Sequence, residues 1–282
     1  MTSAQFGIST HLYHDERLGR DHFVEIAAHA FDAVEIFANR PHFDYSDAAV
    51  IRDAADAARD TSLRIHSVHA PIADTLAGGR WGTPFSIAAS DDATRVRAVA
   101  EVEAALKAAA ELAATYVVVH LGVPDSQHPA ANDNRRDAVA RSLEALDAIA
   151  EPLGVRLALE VMPNSLSRPD ALVTLLEDDL DLPDAGLCLD FGHAFLMGDL
   201  LEAVETCSGH VVTTHVHDNG GGRDEHLVPF EGRIDWDAAL MGMRKIGYDG
   251  AFIFELAASA EPRSVLERAA RARVRFEQML AI

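Results

Sequence analysis

The chain has only two cysteines, Cys188 and Cys207, in 282 residues. Cys188 falls inside an apolar strand-like run and Cys207 near a helix end. Neither belongs to a CxxC pair, which excludes a cysteine zinc finger; a disulfide is not expected, and two buried free thiols suit a reducing, cytoplasmic setting. Basic residues are also scarce: 24 Lys and Arg stand against 45 Asp and Glu, a formal charge of −21. Such a surface repels nucleic-acid phosphates and anionic membranes. The only basic concentrations are Arg135–Arg136 and the last helix (Arg268, Arg271, Arg273, Arg275), which read as solvated helix faces. Nucleic acid is therefore not the expected partner. No apolar stretch reaches the roughly 18 residues of a membrane span. The opening MTSAQFGIST has no basic segment followed by an apolar one, so no signal peptide is expected. No GxGxxG follows the first strand and no GxxxxGK[ST] occurs, which removes the common nucleotide-binding loops.

What the chain does have is alternation. Short apolar runs at 5–9, 33–37, 63–69, 115–120, 155–160, 185–190, 211–217 and 251–255 read as strands. Several are apolar nearly throughout, as parallel strands covered on both faces are. Ala-rich amphipathic stretches lie between them, at roughly 20–30, 47–60, 91–114, 133–151, 169–179, 193–207, 235–246 and 261–280. Ser46, Asp91 and Ser167 are the expected N-caps of three of these helices. Eight strand–helix units with no second pattern predict an α/β fold, a single (β/α)8 TIM barrel spanning residues 1–282. A doubly wound open sheet is the runner-up.

Nine metal-ligand types sit at or just past the ends of six of these runs: His69, His120, Glu160, Asp190, His193, His215, Asp224, His226 and Glu255. The C-terminal ends of the strands are where a barrel builds its active site. Side-chain alternation supports convergence. Thr213, His215 and His217 share one face of the seventh strand, Gly186, Cys188 and Asp190 one face of the sixth, and Ala251, Ile253 and Glu255 one face of the eighth. The small companions suit a barrel interior. Two long loops, 70–90 with Gly78, Gly79 and Gly82 and 218–234 with Gly220, Gly221 and Gly222, are candidate lids.

Glu160, Asp190, His215 and Glu255 together make a hard, oxygen-rich set suited to Mn, Mg, Co or Zn. Without a cation, facing carboxylates repel and are costly to desolvate, unless barrel arginines pair with them; only Arg156 lies near, at the start of its strand. The other five residues either hold a second or third metal or bind hydroxyls or a phosphate of a substrate.

The segments HAP (69–71), VVVHLG, LEVMP, LDFGHA, HVHD, DEH and FEL resemble the xylose-isomerase-like TIM barrels, which include endonuclease IV and the sugar (phosphate) isomerases and epimerases. The resemblance covers nearly the whole chain. Likeness to endonuclease IV implies three zinc sites: His69, His120 and Glu160; Glu160, Asp190, His215 and Glu255; and His193, Asp224 and His226. Likeness to the isomerase and epimerase branch implies one divalent metal on Glu160, Asp190, His215 and Glu255, with Glu160 and Glu255 as acid and base through an enediolate. Gly232–Trp236 resembles a GxIDW stretch of that branch, and Glu35 a recurrent acidic position; an interior hydrogen bond explains Glu35 equally well.

The preferred reading is a metal-dependent sugar, sugar phosphate or sugar acid isomerase or epimerase, with one to three ions per chain. His193, Arg223, His217, Glu35, Trp81 and Phe230 are its candidate substrate contacts. The alternative is a zinc phosphoesterase acting on a small phosphodiester. The acidic balance and the mixed loops HLYHDERLG and FANRPHFDYSD argue against DNA. The Ala-rich outer helices permit association into a homo-oligomer.

Overall fold

The computed structural model describes residues 4–77, 80–130, 133–259 and 261–281. Eight parallel strands close on themselves: β1 (Gln5–Ser9), β2 (Ala33–Phe37), β3 (Arg64–His69), β4 (Tyr116–Val119), β5 (Arg156–Glu160), β6 (Gly186–Asp190), β7 (Val211–Val216) and β8 (Ala251–Phe254). Each pairs with its sequence neighbours, and β1 pairs with β8 through Phe6↔Phe252 and Ile8↔Phe254. The barrel is the expected one. Segments such as YVVV and AFIF have no polar face to give to water, so they are stable only with helices outside and packed side chains inside.

The outer layer is α1 (Arg20–Ala28), α2 (Ala48–Asp60), α3 (Asp92–Glu111), α4 (Arg136–Leu153), α5 (Pro169–Thr174), α6 (Phe191–Leu196), α7 (Leu200–Thr206), α8 (Trp236–Lys245) and α9 (Pro262–Leu280). Their buried stripes recur at helical spacing, as with Ala98, Val102, Ala105 and Ala109 in α3. Among the described residues no helix is long and apolar enough to cross a membrane.

Two expected caps move by one residue. Asp47, not Ser46, accepts from the Ala49 amide at the start of α2. Arg168, not Ser167, precedes α5, because Pro169 fills the first helical position where a missing N–H costs nothing. Ser167 instead turns inward to the Leu121 carbonyl. Asp91 caps α3 as expected. The stretch read as one helix over 193–207 is two, broken at Gly198 (φ +123°) and restarted by Asp199, which accepts from the Glu202 amide.

Inside the barrel, Val118, Ala158 and Cys188 form a small cluster separate from the main core under the helices. His66 Nε2 meets Thr213 Oγ1 at 2.9 Å near the base. The long loop after β3 folds a two-stranded hairpin, Leu76–Ala77 against Arg80–Trp81; Gly78 and Gly79 lie outside the described residues.

Candidate metal centre and active site

The strand ends bring all nine expected ligand positions to one mouth of the barrel. Glu160 closes β5, Asp190 closes β6, His215 is the penultimate residue of β7, and Glu255 follows β8. One ligand atom from each of these four lies within 4.8 Å of the others. His215 Nδ1 is 3.5 Å from Glu160 Oε1, 3.8 Å from Asp190 Oδ2 and 3.3 Å from Glu255 Oε2. A second group overlaps the first: His69 and His120 bring Nε2 to 3.2 and 2.9 Å from Glu160 Oε2. A third stands above them. His193 Nε2 and His226 Nε2 lie 3.2 and 3.1 Å from Asp224 Oδ2, and His217 joins the same group.

Local structure explains how the side chains arrive. Asp190 is at once the last strand residue and the N-cap of α6, accepting from the His193 amide at 2.6 Å. That compact turn carries both ligands of the DxxH spacing. Asp218, fully buried just past β7, accepts from the amides of Phe230 and Ile234 and from Trp236 Nε1, at 3.0, 3.1 and 2.9 Å. Its backbone also exchanges hydrogen bonds with Leu227. The Gly-rich loop 218–234, expected to be a lid, is thereby pinned, with Asp224 and His226 held over the site.

The centre demands positive charge. Glu160, Asp190 and Glu255 are almost wholly buried, and among the described residues no Arg or Lys pairs with them. Burial disfavours the charged form, yet His120 and His215 hold the Glu160 carboxyl well below the usual range, and His193 and His217 hold Asp190 below its ordinary value. Burial also opposes charge on the imidazoles, and carboxylates overcome it. Asp190 and Asp224 hold His193 well above its ordinary value, and Asp224 lifts His226 to about 10. Glu160 Oε1, His215 Nδ1 and His217 Nδ1 are buried with no hydrogen-bond partner among the described residues. Three carboxylates and an imidazole converging with orphaned atoms fit a divalent cation, which would satisfy charge and lone pairs together.

A cavity of about 420 Å³ opens above this centre. Glu160, Glu255, His193 and His226 line its floor; Phe37, Ile72, Trp81, Phe85 and Leu196 supply apolar wall, and Ser126 and Gln127 add polar groups. Of the expected substrate contacts, His193, Trp81 and Arg223 reach it. Arg223 is largely solvent-exposed and turns its guanidinium to Glu225 at 2.9 Å.

Three others do not reach the cavity, each for a local reason. Phe230 packs on Trp236 and Phe276 under the Arg275 guanidinium. His217 is sealed against Gly192 and donates to Asp190 at 3.0 Å, which places it among the candidate ligands. Glu35 sits behind His215, accepting from its Nε2 at 3.1 Å. The sequence reading missed several lining residues, Phe37, Ile72, Phe85, Ser126, Gln127 and Leu196 among them, and one that carries a titratable group: His11, just past β1, whose Nδ1 meets the Leu256 carbonyl at 2.9 Å. Its position after the first strand is the same signal that marks the candidate ligands on the other strands. Burial, with His226 and His14 nearby, holds its pKa well below the ordinary value, so the ring is neutral and Nδ1 is the donor.

A closed parallel barrel with His, Asp and Glu gathered at its strand ends is matched over residues 23–276 by the model of the xylose isomerase-like TIM barrel family, and the chain belongs to that family. An uncharacterised protein of Methanocaldococcus jannaschii is 30% identical over 262 residues, covering 89% of this chain and 83% of the relative. A probable endonuclease 4 of Mycobacterium leprae is 25% identical over 225 residues, covering 77% and 82%. Among solved structures, a D-tagatose 3-epimerase-like protein superposes with a TM-score of 0.80 at 28% identity, covering 98% of this chain and 97% of that one. Other structural neighbours are sugar epimerases, including D-psicose and L-ribulose 3-epimerases, whose identities of 17 and 18% speak for the fold alone.

Proposed function

We propose that this protein is a divalent-metal-dependent epimerase or isomerase of a small, unphosphorylated sugar or sugar derivative. The observation that carries the reading is the pair Glu160 and Glu255, two buried carboxylates that flank one imidazole nitrogen and open onto the same cavity. Glu160, Asp190, His215 and Glu255 would hold the metal. Bound there, a divalent ion supplies Lewis-acid polarisation of a substrate carbonyl and stabilises the negative charge that grows on its oxygen. One glutamate takes the proton from the carbon beside the carbonyl, and the other returns a proton to the substrate. His193 and the neutral His11 position hydroxyls, and Trp81 and Phe85 cover the apolar C–H face. Arg223 is the one Arg or Lys lining the cavity among the described residues, and its pairing with Glu225 favours an unphosphorylated substrate.

The test is solvent deuterium incorporation at the carbon next to the carbonyl, across a panel of free ketoses, with protein reconstituted in Mn, Co or Zn. Glu255→Gln is expected to lower the exchange rate by about 10²–10⁴-fold. Undiminished exchange in that variant would overturn the assignment.

The further ligand groups around His69 and His193 favour a second reading, a phosphodiesterase with two or three ions. Elemental analysis separates the two. Two or three zinc ions per chain, with phosphodiester hydrolysis lost in Asp224→Ala/His226→Ala, selects the hydrolase.

A further inference from the structure

We propose that Glu35 is a positioning residue for the metal centre: hidden from the cavity, it fixes which nitrogen His215 offers to the three carboxylates. The inference rests on reading Glu160, Asp190, His215 and Glu255 as a cation site. Glu35 is fully buried near the middle of the barrel. Its Oε2 accepts from Ser67 Oγ at 2.8 Å and from His215 Nε2 at 3.1 Å, while Oε1 has no hydrogen-bond partner among the described residues. A buried carboxylate with an unsatisfied oxygen is a poor way to hold a barrel together, since an apolar residue of the same size avoids the desolvation cost. It has one evident beneficiary. His215 stacks on His69 with ring centres 5.5 Å apart and planes 15° apart. Stacking sets the plane of the ring but is indifferent to which nitrogen faces the carboxylates. The bond to Glu35 makes that choice: the proton is kept on Nε2, and Nδ1 is directed to Glu160, Asp190 and Glu255.

The backbone is shaped to make this contact. The pairing of β2 with β3 shifts between Val34 and Glu35, so that Val34 faces Ile65 but Glu35 faces Ser67. A matching shift between β6 and β7, at Leu187/Cys188, sets Asp190 opposite His215. Bulges of this kind re-aim side chains beside active sites. Here one aims the carboxylate and the other aims the imidazole, and the two meet 180 residues apart in sequence. Carboxylates that hold the far nitrogen of a metal-binding histidine typically contribute a 10–100-fold factor in metal affinity.

The experiment is calorimetric titration of chelator-treated protein with Co²⁺, together with the visible cobalt spectrum, for wild type, Glu35→Gln, His215→Ala and the double variant. Glu35→Gln is expected to weaken cobalt binding by about 10–100-fold and change the spectrum, while the chelated protein unfolds at the wild-type denaturant concentration or above it. In the His215→Ala background the same change is expected to have no further effect, because Glu35 acts through that ring. If Glu35→Gln does not accumulate as folded protein, Glu35→Asp retains the charge but withdraws the oxygen, and it too is expected to bind cobalt more weakly. Wild-type affinity in either Glu35 variant overturns the inference, as does an equal loss with and without His215. Wild type that takes up no cobalt removes the cation site itself, and this inference with it.

Discussion

Gly192 shows how tightly single residues are specified around this centre. A Cβ there would fall 2.0 Å from Cε1 of the His217 ring, and that ring is held by Asp190. Gly192→Ala must therefore displace either α6 or His217. The expected cost is about 1–3 kcal/mol of stability, read as a lower denaturant midpoint. Two further histidines give the protein an acid limit that has nothing to do with metal. Burial holds His42 and His66 down to about 4, from an ordinary value of 6.5. Lowered folded-state values mean that the unfolded chain binds more protons. Their contribution is full above pH 6.5 and is lost as pH falls towards 4, by up to about 3 kcal/mol each. Urea unfolding at pH 7 and pH 5 is expected to show this loss, and His42→Gln to reduce it. At this scale the sequence is informative about which residues gather at the strand ends and poor about what supports them. A histidine at the end of an apolar run announces itself. Glu35, His217 and Phe230 lie behind the cavity rather than in it; residue type and rough position cannot tell a cavity wall from the layer behind it.

At the scale of elements, the loop after β7 is the clearest departure from expectation. Three consecutive glycines, Gly220 to Gly222, and a length of 17 residues, 218–234, suggest a mobile lid. Asp218 turns the segment into a clasp, and Gly232 is part of it, since a Cβ there would fall 2.2 Å from Asp218 Oδ1. Contacts from a side chain to distant backbone amides have no periodicity, so no pattern in DNGGGRDEHLVPFEGRIDW reveals them. Asp218→Asn turns an acceptor into a donor, either at the Oδ2 position against both the Phe230 amide and the Trp236 indole, or at the Oδ1 position against the Asn219 and Ile234 amides. Hydrogen bonds to a buried charge contribute about 1.5–3 kcal/mol each, so the loop should open locally well before the barrel does. Hydrogen exchange is the measurement: protection is expected to fall across 219–235 and stay unchanged in β1–β5. Uniform loss of protection across the barrel would mean that Asp218 supports the whole fold rather than the clasp. Strand and helix identities, by contrast, were legible almost throughout, because burial on both faces leaves a parallel strand little choice of composition. The errors fell at helix ends, where Pro169 and Gly198 redirect the chain within a residue or two.

At the scale of the molecule, acidity and the centre's need for cations are linked. The chain carries a formal charge of −21, and three of its carboxylates are buried together. In the bare protein, protonated imidazoles balance them: Asp224 holds His226 up at about 10, and His193 and His215 are held well above their ordinary values. Raised values give stability that is complete below pH 6.5 and is lost as pH climbs towards 10. A divalent ion held by Glu160, Asp190, His215 and Glu255 would take over this balancing role once the proton on His215 has left, and protons compete with it at low pH. Metal and proton are thus alternative partners of one site, and the stabilisation from metal should grow with pH. At a free ion concentration 100 times the dissociation constant, linkage gives about 2.7 kcal/mol, or roughly 5–10 °C in Tm for a chain of this size. We expect the Tm difference between cobalt-loaded and chelator-treated protein to be small at pH 6 and to approach that range at pH 8.5–9, with His215→Ala largely removing the pH dependence. A difference that is constant across this interval would mean that the histidines at the strand ends do not take part in binding, leaving the carboxylates alone as ligands.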